Sequence, residues 1–245
     1  MSDFSDSTLW RLSAFERLQA AGGGAADGRP TLLPTTLMAD LRRLGAAPAG
    51  SDVLEVVAAC LRHREPALLH LGYGRLVWPV TVFPAQQLYH SPRAVTDLGP
   101  AVELAGLKLL DAQRPGVRPP GHVQHDRVAA ADRYRALNPL LWTLALHGPR
   151  RTLLAEIDGR AAYRLASGAL ADQPALPGAL GPAAERLRAR AASVREMAGW
   201  PGMSVERASR LLNGLYLTGG LMVMRSHAAA REAPDFWRQW FGRRR

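Results

Sequence analysis

One segment constrains the fold most, because apolar residues recur in it at every second position. The recurring residues are Leu76, Trp78, Val80 and Val82. This period places them on one face of a β-strand, and the Gly-Tyr-Gly at 72–74 just before it predicts a hairpin turn. Pro79 has no N–H to donate to a ladder, so we expect this strand to lie at a sheet edge or to contain a bulge. With 86–90 as a third strand, the region of about 67–90 predicts a small antiparallel β-meander.

Helical spacing of apolar residues predominates elsewhere, so we expect an α+β fold that is mostly helical around this meander. The segments with helical spacing are 9–18, 36–44, 53–62, 98–111, 128–137, 139–146, 152–165 and 182–197. Ser51 or Asp52 can cap the helix that starts at Val53, and Asp158-Gly159 interrupts the helix over 152–165. The Pro/Gly-rich segment 114–122 cannot be helical. We therefore interpret 114–127 as a linker or loop between a first domain, 1–113, and a helical domain, 128–245.

Composition and charge bound the class of protein. Of the 245 residues, 47% are apolar and 21% are charged, which is typical of a globular chain. No apolar run reaches about 18 residues, so we expect no membrane-spanning helix. The first residues lack the pattern of a secretory signal, and the single cysteine, Cys60, excludes an internal disulfide, so we expect a cytoplasmic protein. A net charge of +10 favours an anionic partner, or reflects the arginine-rich coding of a bacterial gene.

The last quarter of the chain has the clearest succession of local signals. Ser204 is suited to cap a helix over 205–216. The apolar stripe of this helix consists of Val205, Ala208, Leu211, Leu212 and Leu215, and its opposite, exposed face of Glu206, Arg207, Ser209, Arg210 and Asn213. Gly219 or Gly220 can adopt the left-handed conformation that ends a helix, and 221–224 then predicts a strand.

Residues 183–226 resemble the winged helix-turn-helix family through a short second helix with REMA, a turn before MSVERASRLLNGL, and a closing GGLMV. In that family the third helix usually enters the major groove of DNA. The resemblance implies that the reading residues are Ser204, Glu206, Arg207, Ser209, Arg210 and Asn213, with Arg225 near a phosphate. Glu206 would repel phosphates, and such units in bacterial signalling proteins are often interaction modules. A protein partner is therefore the first interpretation of this helix, and DNA is the alternative.

Catalytic and metal-binding patterns are weak in this chain. It has no GxSxG, HExxH, CxxC or GxxxxGK[ST] pattern, so we expect neither enzymatic activity nor a cofactor. His122 with His125, and Cys60 with His63, form two half-motifs for zinc, which needs ligands in tetrahedral geometry. Polar loops commonly contain histidines, and Cys60 falls on an apolar helix face. We therefore expect no metal site, with these four residues as the weak candidates.

The C-terminus combines four aromatic residues with three arginines: Phe236, Trp237, Trp240, Phe241, Arg243, Arg244 and Arg245. The aromatic residues share one face of a short helix that Pro234-Asp235 begins. Such a tail can contact an anionic membrane surface or stack on nucleic-acid bases. Docking of the aromatic residues onto the domain core is the first interpretation, because two helical turns alone bind membranes weakly.

Together these patterns predict a non-catalytic bacterial regulatory or adaptor protein, acting in signal transduction through contacts with another protein. The first alternative is a DNA-binding transcriptional regulator that uses the helix at 204–216. The second is a metal-dependent enzyme that uses His122, His125 or Cys60. The identity of the partner and the oligomeric state stay open at this point.

Overall fold

The computed structural model describes residues 9–20, 33–45, 52–98, 104–166 and 175–226, and these ranges contain seven α-helices and two antiparallel sheets. The helices are α1 (Leu12–Ala20), α2 (Thr35–Gly45), α3 (Val53–His63), α4 (Leu137–His147), α5 (Leu180–Ala189), α6 (Val194–Ala198) and α7 (Val205–Leu217). The strands are β1 (Trp10–Arg11), β2 (Ala67–Tyr73), β3 (Leu76–Phe83), β4 (Leu88–His90), β5 (Lys108–Gln113), β6 (Tyr134–Ala136), β7 (Ala162–Leu165) and β8 (Leu221–Met224). The α+β class is confirmed, in two compact units, Met1–Arg150 and Arg151–Arg245.

The first unit is built on a six-stranded antiparallel sheet. Its strand order is β5-β2-β3-β4-β6, and the short β1 also pairs with β3. β2 and β3 form the predicted hairpin, in which Leu69 lies opposite Val80 and Leu71 opposite Trp78. All four of these side chains are buried, and on the predicted face of β3 Trp78, Val80 and Val82 are buried while Leu76 is half-buried. The predicted meander is thus the centre of a larger sheet.

Pro79 does not place β3 at a sheet edge, which corrects the prediction. β3 pairs with β2 along its length, and on its other side with β1 at one end and with β4 at the other. Pro79 lies between these two short ladders, so its missing N–H breaks no backbone pair there. Its carbonyl accepts a hydrogen bond from the Ser91 hydroxyl at 3.0 Å, and Trp78 Nε1 donates to the same hydroxyl at 2.8 Å. A central strand can contain proline here because the Ser91 hydroxyl bonds to the Pro79 carbonyl where neither β1 nor β4 pairs with it.

Two segments with helical spacing form strands instead. Where the sequence predicts a helix over 98–111, β5 is found at the end of that segment and pairs with β2. Where it predicts a helix over 128–137, a 3-10 turn at Ala131–Arg133 leads into β6, which pairs with β4. These pairings satisfy backbone donors and acceptors of β2 and β4. Partners distant in sequence therefore outweigh the local apolar spacing.

The segment 114–127 is a loop within the first unit, and the unit boundary lies between Arg150 and Arg151 instead. β6 follows this loop and belongs to the same sheet as β2, β3 and β4. The Tyr134 hydroxyl donates to the Arg118 carbonyl and accepts from the Ala129 N–H at 2.9 Å. Tyr134 thereby ties the loop to the sheet edge.

Two ionisable groups in the first unit, one half-buried and one buried, have no counterpart among the sequence motifs. Arg150, with 13% of its side chain exposed, pairs with Asp52 at 2.7 Å and with Glu55 at 2.9 Å at the start of α3. His70 in β2 is 5% exposed, and its ring lies against the rings of Trp10 and Phe15, with centroid distances of 6.0 and 4.9 Å. Arg150 thus connects the segment after α4 to the start of α3, and His70 packs against β1 and α1.

The second unit consists of α5, α6 and α7 with a two-stranded sheet. β7 precedes the three helices and pairs antiparallel with β8, which follows them. The Tyr163 N–H also donates to the Ala192 carbonyl at 2.8 Å, between α5 and α6. The helix predicted over 152–165 is absent: the chain turns at Gly159, which has φ +97°, and enters β7. The sequence also divides this segment into a first helix over 183–190 and a second over 193–198, and the structure has these two helices as α5 and α6, on either side of the Ala192 bridge.

Candidate protein-contact surface of the second unit

α7 begins at the predicted cap. The Ser204 hydroxyl accepts a hydrogen bond from the Arg207 N–H at 3.1 Å. Gly202, just before it, has φ +72°, and a Cβ at this position would lie 2.9 Å from the Cβ of Ala179. The turn at 200–203 therefore approaches the start of α5 as closely as it does because residue 202 is glycine. At its other end, α7 stops before Gly219, which has φ +73° as the sequence predicts.

The face of α7 that the sequence predicts to be exposed is partly inside the protein. Ser209 is 2% exposed and Asn213 is 0% exposed. Asn213 Oδ1 accepts from the Leu154 N–H at 2.9 Å, and its Nδ2 donates to the Thr152 carbonyl at 2.9 Å. An amide side chain is stable at a buried position when both of its groups are paired in this way. The predicted exposure of Ser209 and Asn213 is therefore wrong, and neither side chain is accessible to DNA or to a partner in this structure.

Two predicted DNA-contact arginines are engaged within the unit. Arg210 has 13% of its side chain exposed, and its Nε donates to the Glu206 carboxylate at 3.0 Å. Arg151 lies 3.9 Å from the same carboxylate. Arg225 donates to two backbone carbonyls of the turn at 156–158, at 2.8 and 3.0 Å. Arg210 and Arg225 thus stabilise local structure, and Glu206 offsets part of the positive charge.

The exposed part of α7 is its first turn. Val205 is 59% exposed, although the sequence places it in the apolar stripe, whose other members are buried. Arg207 is also exposed, and it donates to the Gly202 carbonyl at 2.5 Å. From 208 to 215 every residue except Arg210 is buried. The surface that α7 offers is therefore short and contains both an apolar and a cationic side chain.

A groove of about 140 Å³ adjoins this first turn, and we call it the turn groove. It is lined by Ala179, Pro182, Ala183, Arg186, Trp200, Pro201 and Met203. The Arg186 guanidinium lies over the Trp200 ring, 5.5 Å from its centroid, and the Arg190 guanidinium lies 5.8 Å from it. Arg190 also pairs with Glu196. The groove is apolar over most of its lining and cationic on one side.

The sequence motifs do not predict the turn groove. They predict only that Trp200, Pro201 and Gly202 form a turn. One signal for it is present in the sequence: Arg186 and Arg190 are four residues apart in a segment with helical spacing, which predicts that they share a face. These arginines lie over Trp200 because α5 approaches the turn closely, and a local sequence pattern does not predict such an approach.

The weak metal candidates do not form one cluster. Cys60 is fully buried, and burial raises the pKa of its thiol to about 12, which disfavours the thiolate that a metal requires. His63 Nε2 lies 2.8 Å from the Asp40 carboxylate. His122 Nδ1 accepts a backbone N–H at 3.1 Å, and His125 is exposed in a 3-10 turn. Among the residues that the structure describes, no group of three or more His, Cys, Asp or Glu side chains could hold a metal ion.

The C-terminal tail lies outside the described residues, so the interpretation of its aromatic residues and arginines stays a prediction. No α-helix within the described ranges is long and apolar enough to cross a bilayer. No protein-family model matches the chain, and searches of curated proteins and of solved structures found no match.

Proposed function

We propose that this chain is a non-catalytic regulatory or adaptor protein of a bacterial cytoplasm, which takes part in signal transduction by binding another protein. The observation that carries the proposal is the burial of α7 beyond its first turn, from 208 to 215 except for Arg210. What the helix leaves exposed is Val205 and Arg207, next to the turn groove. A compact apolar patch with arginine and tryptophan nearby is the composition enriched in protein–protein interfaces.

The order of elements supports a winged-helix-like interaction module as part of this proposal. Three helices, α5 to α7, lead into β8, which occupies the place where a wing begins in that family. β8 pairs with β7, the strand that comes before the helices. The small sheet of the unit is thus completed from within the unit, and the first turn of α7 remains on the surface.

DNA binding through α7 is the alternative function. A reading helix has to present several polar side chains along one face to the base edges. Of the predicted reading residues, Ser209 and Asn213 are buried and Arg210 is paired with Glu206. Ser204 and Arg207 at the first turn remain exposed, and Arg207 is the cation on which this alternative depends.

Photocrosslinking from Val205 tests the proposal. A benzophenone amino acid is placed at Val205, which is 59% exposed, and in a control at Val123 of the first unit, which is 85% exposed. Both variants are irradiated in the cells that naturally produce the protein. We expect a discrete adduct with a protein from position 205 and none from position 123. The opposite result is no protein adduct from position 205, together with salt-dependent binding of duplex DNA that Arg207→Ala weakens about tenfold. That result would overturn the proposal in favour of DNA.

A further inference from the structure

The turn groove has the size and lining to hold one large apolar side chain. Its volume is about 140 Å³, close to that of an apolar cavity of about 150 Å³ that accommodates one benzene ring. Six of its seven lining residues have uncharged side chains, and Trp200 gives it a flat aromatic surface. Trp200 is 8% exposed, so the indole is held in place by the unit rather than projecting into solvent. A rigid aromatic surface loses little conformational entropy when a ligand covers it.

Arg186 gives the groove a charge preference. Its side chain is exposed, and it has no ion pair with any carboxylate of the described residues, whereas Arg190 pairs with Glu196. A guanidinium that lies over an indole ring makes a cation–π contact and keeps its N–H donors, two of which a single carboxylate can accept. Arg186 can therefore bind a carboxylate while its guanidinium stays over Trp200.

The surroundings of the groove favour the same kind of ligand. The charged residues of 175–226 are seven arginines and three glutamates. Arg207, at the adjacent first turn of α7, is exposed as well. Positive potential around an apolar groove accelerates and favours the association of acidic segments and disfavours basic ones.

We propose that the turn groove binds an acidic segment of the partner protein, with one large apolar side chain in the groove and a neighbouring carboxylate on Arg186. This inference rests on the protein-binding function proposed above and adds the chemical class of the partner's contact segment. The tail of this chain fits the groove less well, because 235–245 contains four arginines and a single acidic residue, Asp235.

Fluorescence anisotropy with the full chain tests this proposal. The probes are short labelled peptides of Asp and Glu with a central Phe, Leu, Met or Trp, and two controls: a central Ala, and Lys in place of the acidic residues. We expect binding by at least one acidic peptide, with affinity lowered about tenfold by the central Ala and lost with Lys. Arg186→Glu should weaken binding about tenfold or more, and Arg186→Lys by a smaller factor, because lysine keeps the charge but lacks the two parallel N–H donors of a guanidinium.

A matched variant separates the groove from general charge. Arg160→Glu makes the same charge change at an exposed position of the same unit outside the groove, and it should change affinity by less than about twofold. Equal losses in Arg160→Glu and Arg186→Glu, or equal binding of the Phe and Ala peptides, would overturn the proposal. So would binding that requires replacement of the tail aromatics by alanine, because the tail would then be the occupant.

The two proposals fail in distinguishable ways. If no acidic peptide binds at up to about 1 mM while position 205 still gives a protein adduct, the partner is bound in another manner and only the peptide class is wrong. If position 205 gives no adduct and duplex DNA binds instead, the protein-binding function itself is wrong.

Discussion

Asn213→Ala is the substitution that separates a structural from a reading role for α7. In the structure the Asn213 side chain is fully buried and makes two hydrogen bonds of 2.9 Å, to the Leu154 N–H and the Thr152 carbonyl. Each such bond contributes about 0.5–1 kcal/mol net, and the buried Leu154 N–H, once deprived of its acceptor, adds about 1–2 kcal/mol of penalty. We therefore expect Asn213→Ala to lower the free energy of opening of the second unit by about 2–4 kcal/mol.

Hydrogen exchange measures this loss without assuming that the whole chain unfolds in one step. The amides to follow are those of 211–217 in α7, which are helical and do not bond to the Asn213 side chain itself. A loss of 2–4 kcal/mol corresponds to exchange that is about 30-fold to 700-fold faster when exchange is limited by the opening equilibrium. The control is Ser209→Ala, equally buried in the same helix, which should cost less than about 1 kcal/mol.

Exchange in Asn213→Ala that is no faster than in Ser209→Ala would refute the structural role of Asn213. Weaker binding of duplex DNA by Asn213→Ala, with exchange unchanged, would show instead that Asn213 contacts bases. An effect on stability with no effect on DNA binding is the result that the two backbone hydrogen bonds predict.

Two further predictions concern the first unit. Arg150→Ala removes the guanidinium that pairs with Asp52 and the buried Glu55, and it should lower the free energy of unfolding in urea by about 3 kcal/mol. The control is Arg43→Ala, whose side chain is 85% exposed, and it should change that free energy by less than about 0.5 kcal/mol. Equal losses in the two variants would show that the ion pairs of Arg150 contribute little. Burial lowers the pKa of His70 below 6.5 although the Asp111 carboxylate opposes this, so the unfolded state binds the proton more readily and the unit loses stability as the pH falls below about 6.5. His70→Phe should reduce that loss between about pH 7.5 and 5.5 in the same urea titration, and an unchanged pH dependence would exclude His70 as a source of it.

Local sequence patterns predicted those helices and strands whose conformation depends on neighbouring residues. Alternation at 76–82 located β3, because the period of two is a property of the strand itself. Asp52 and Ser204 located the starts of α3 and α7, because a capping side chain bonds to a backbone N–H two or three residues away. These signals require no knowledge of the rest of the chain.

The short strands were not predictable in the same way. β5, β6 and β7 have three to six residues each, too few for an apolar period to distinguish strand from helix. Their conformation depends on partners far along the chain: β2 for β5, β4 for β6, and β8 for β7. Pro79 shows the same dependence, because its place within the sheet follows from the gap between β1 and β4.

The polar residues of α7 were predicted to be exposed, and for Ser209 and Asn213 this prediction is wrong. The physical reason for the error also bears on function. A helix face of charged and amide side chains indicates a solvent-exposed surface only if those groups have no partners within the protein. Here Asn213 is bonded to two backbone groups and Arg210 to Glu206, so most of the apparent reading face stabilises the unit itself. Positive charge is available to a ligand where a guanidinium forms no ion pair with a carboxylate of the described residues, and Arg186 over Trp200 is such a position. Phosphates would use that charge alone, whereas an acidic peptide with an apolar side chain would use both the charge and the groove.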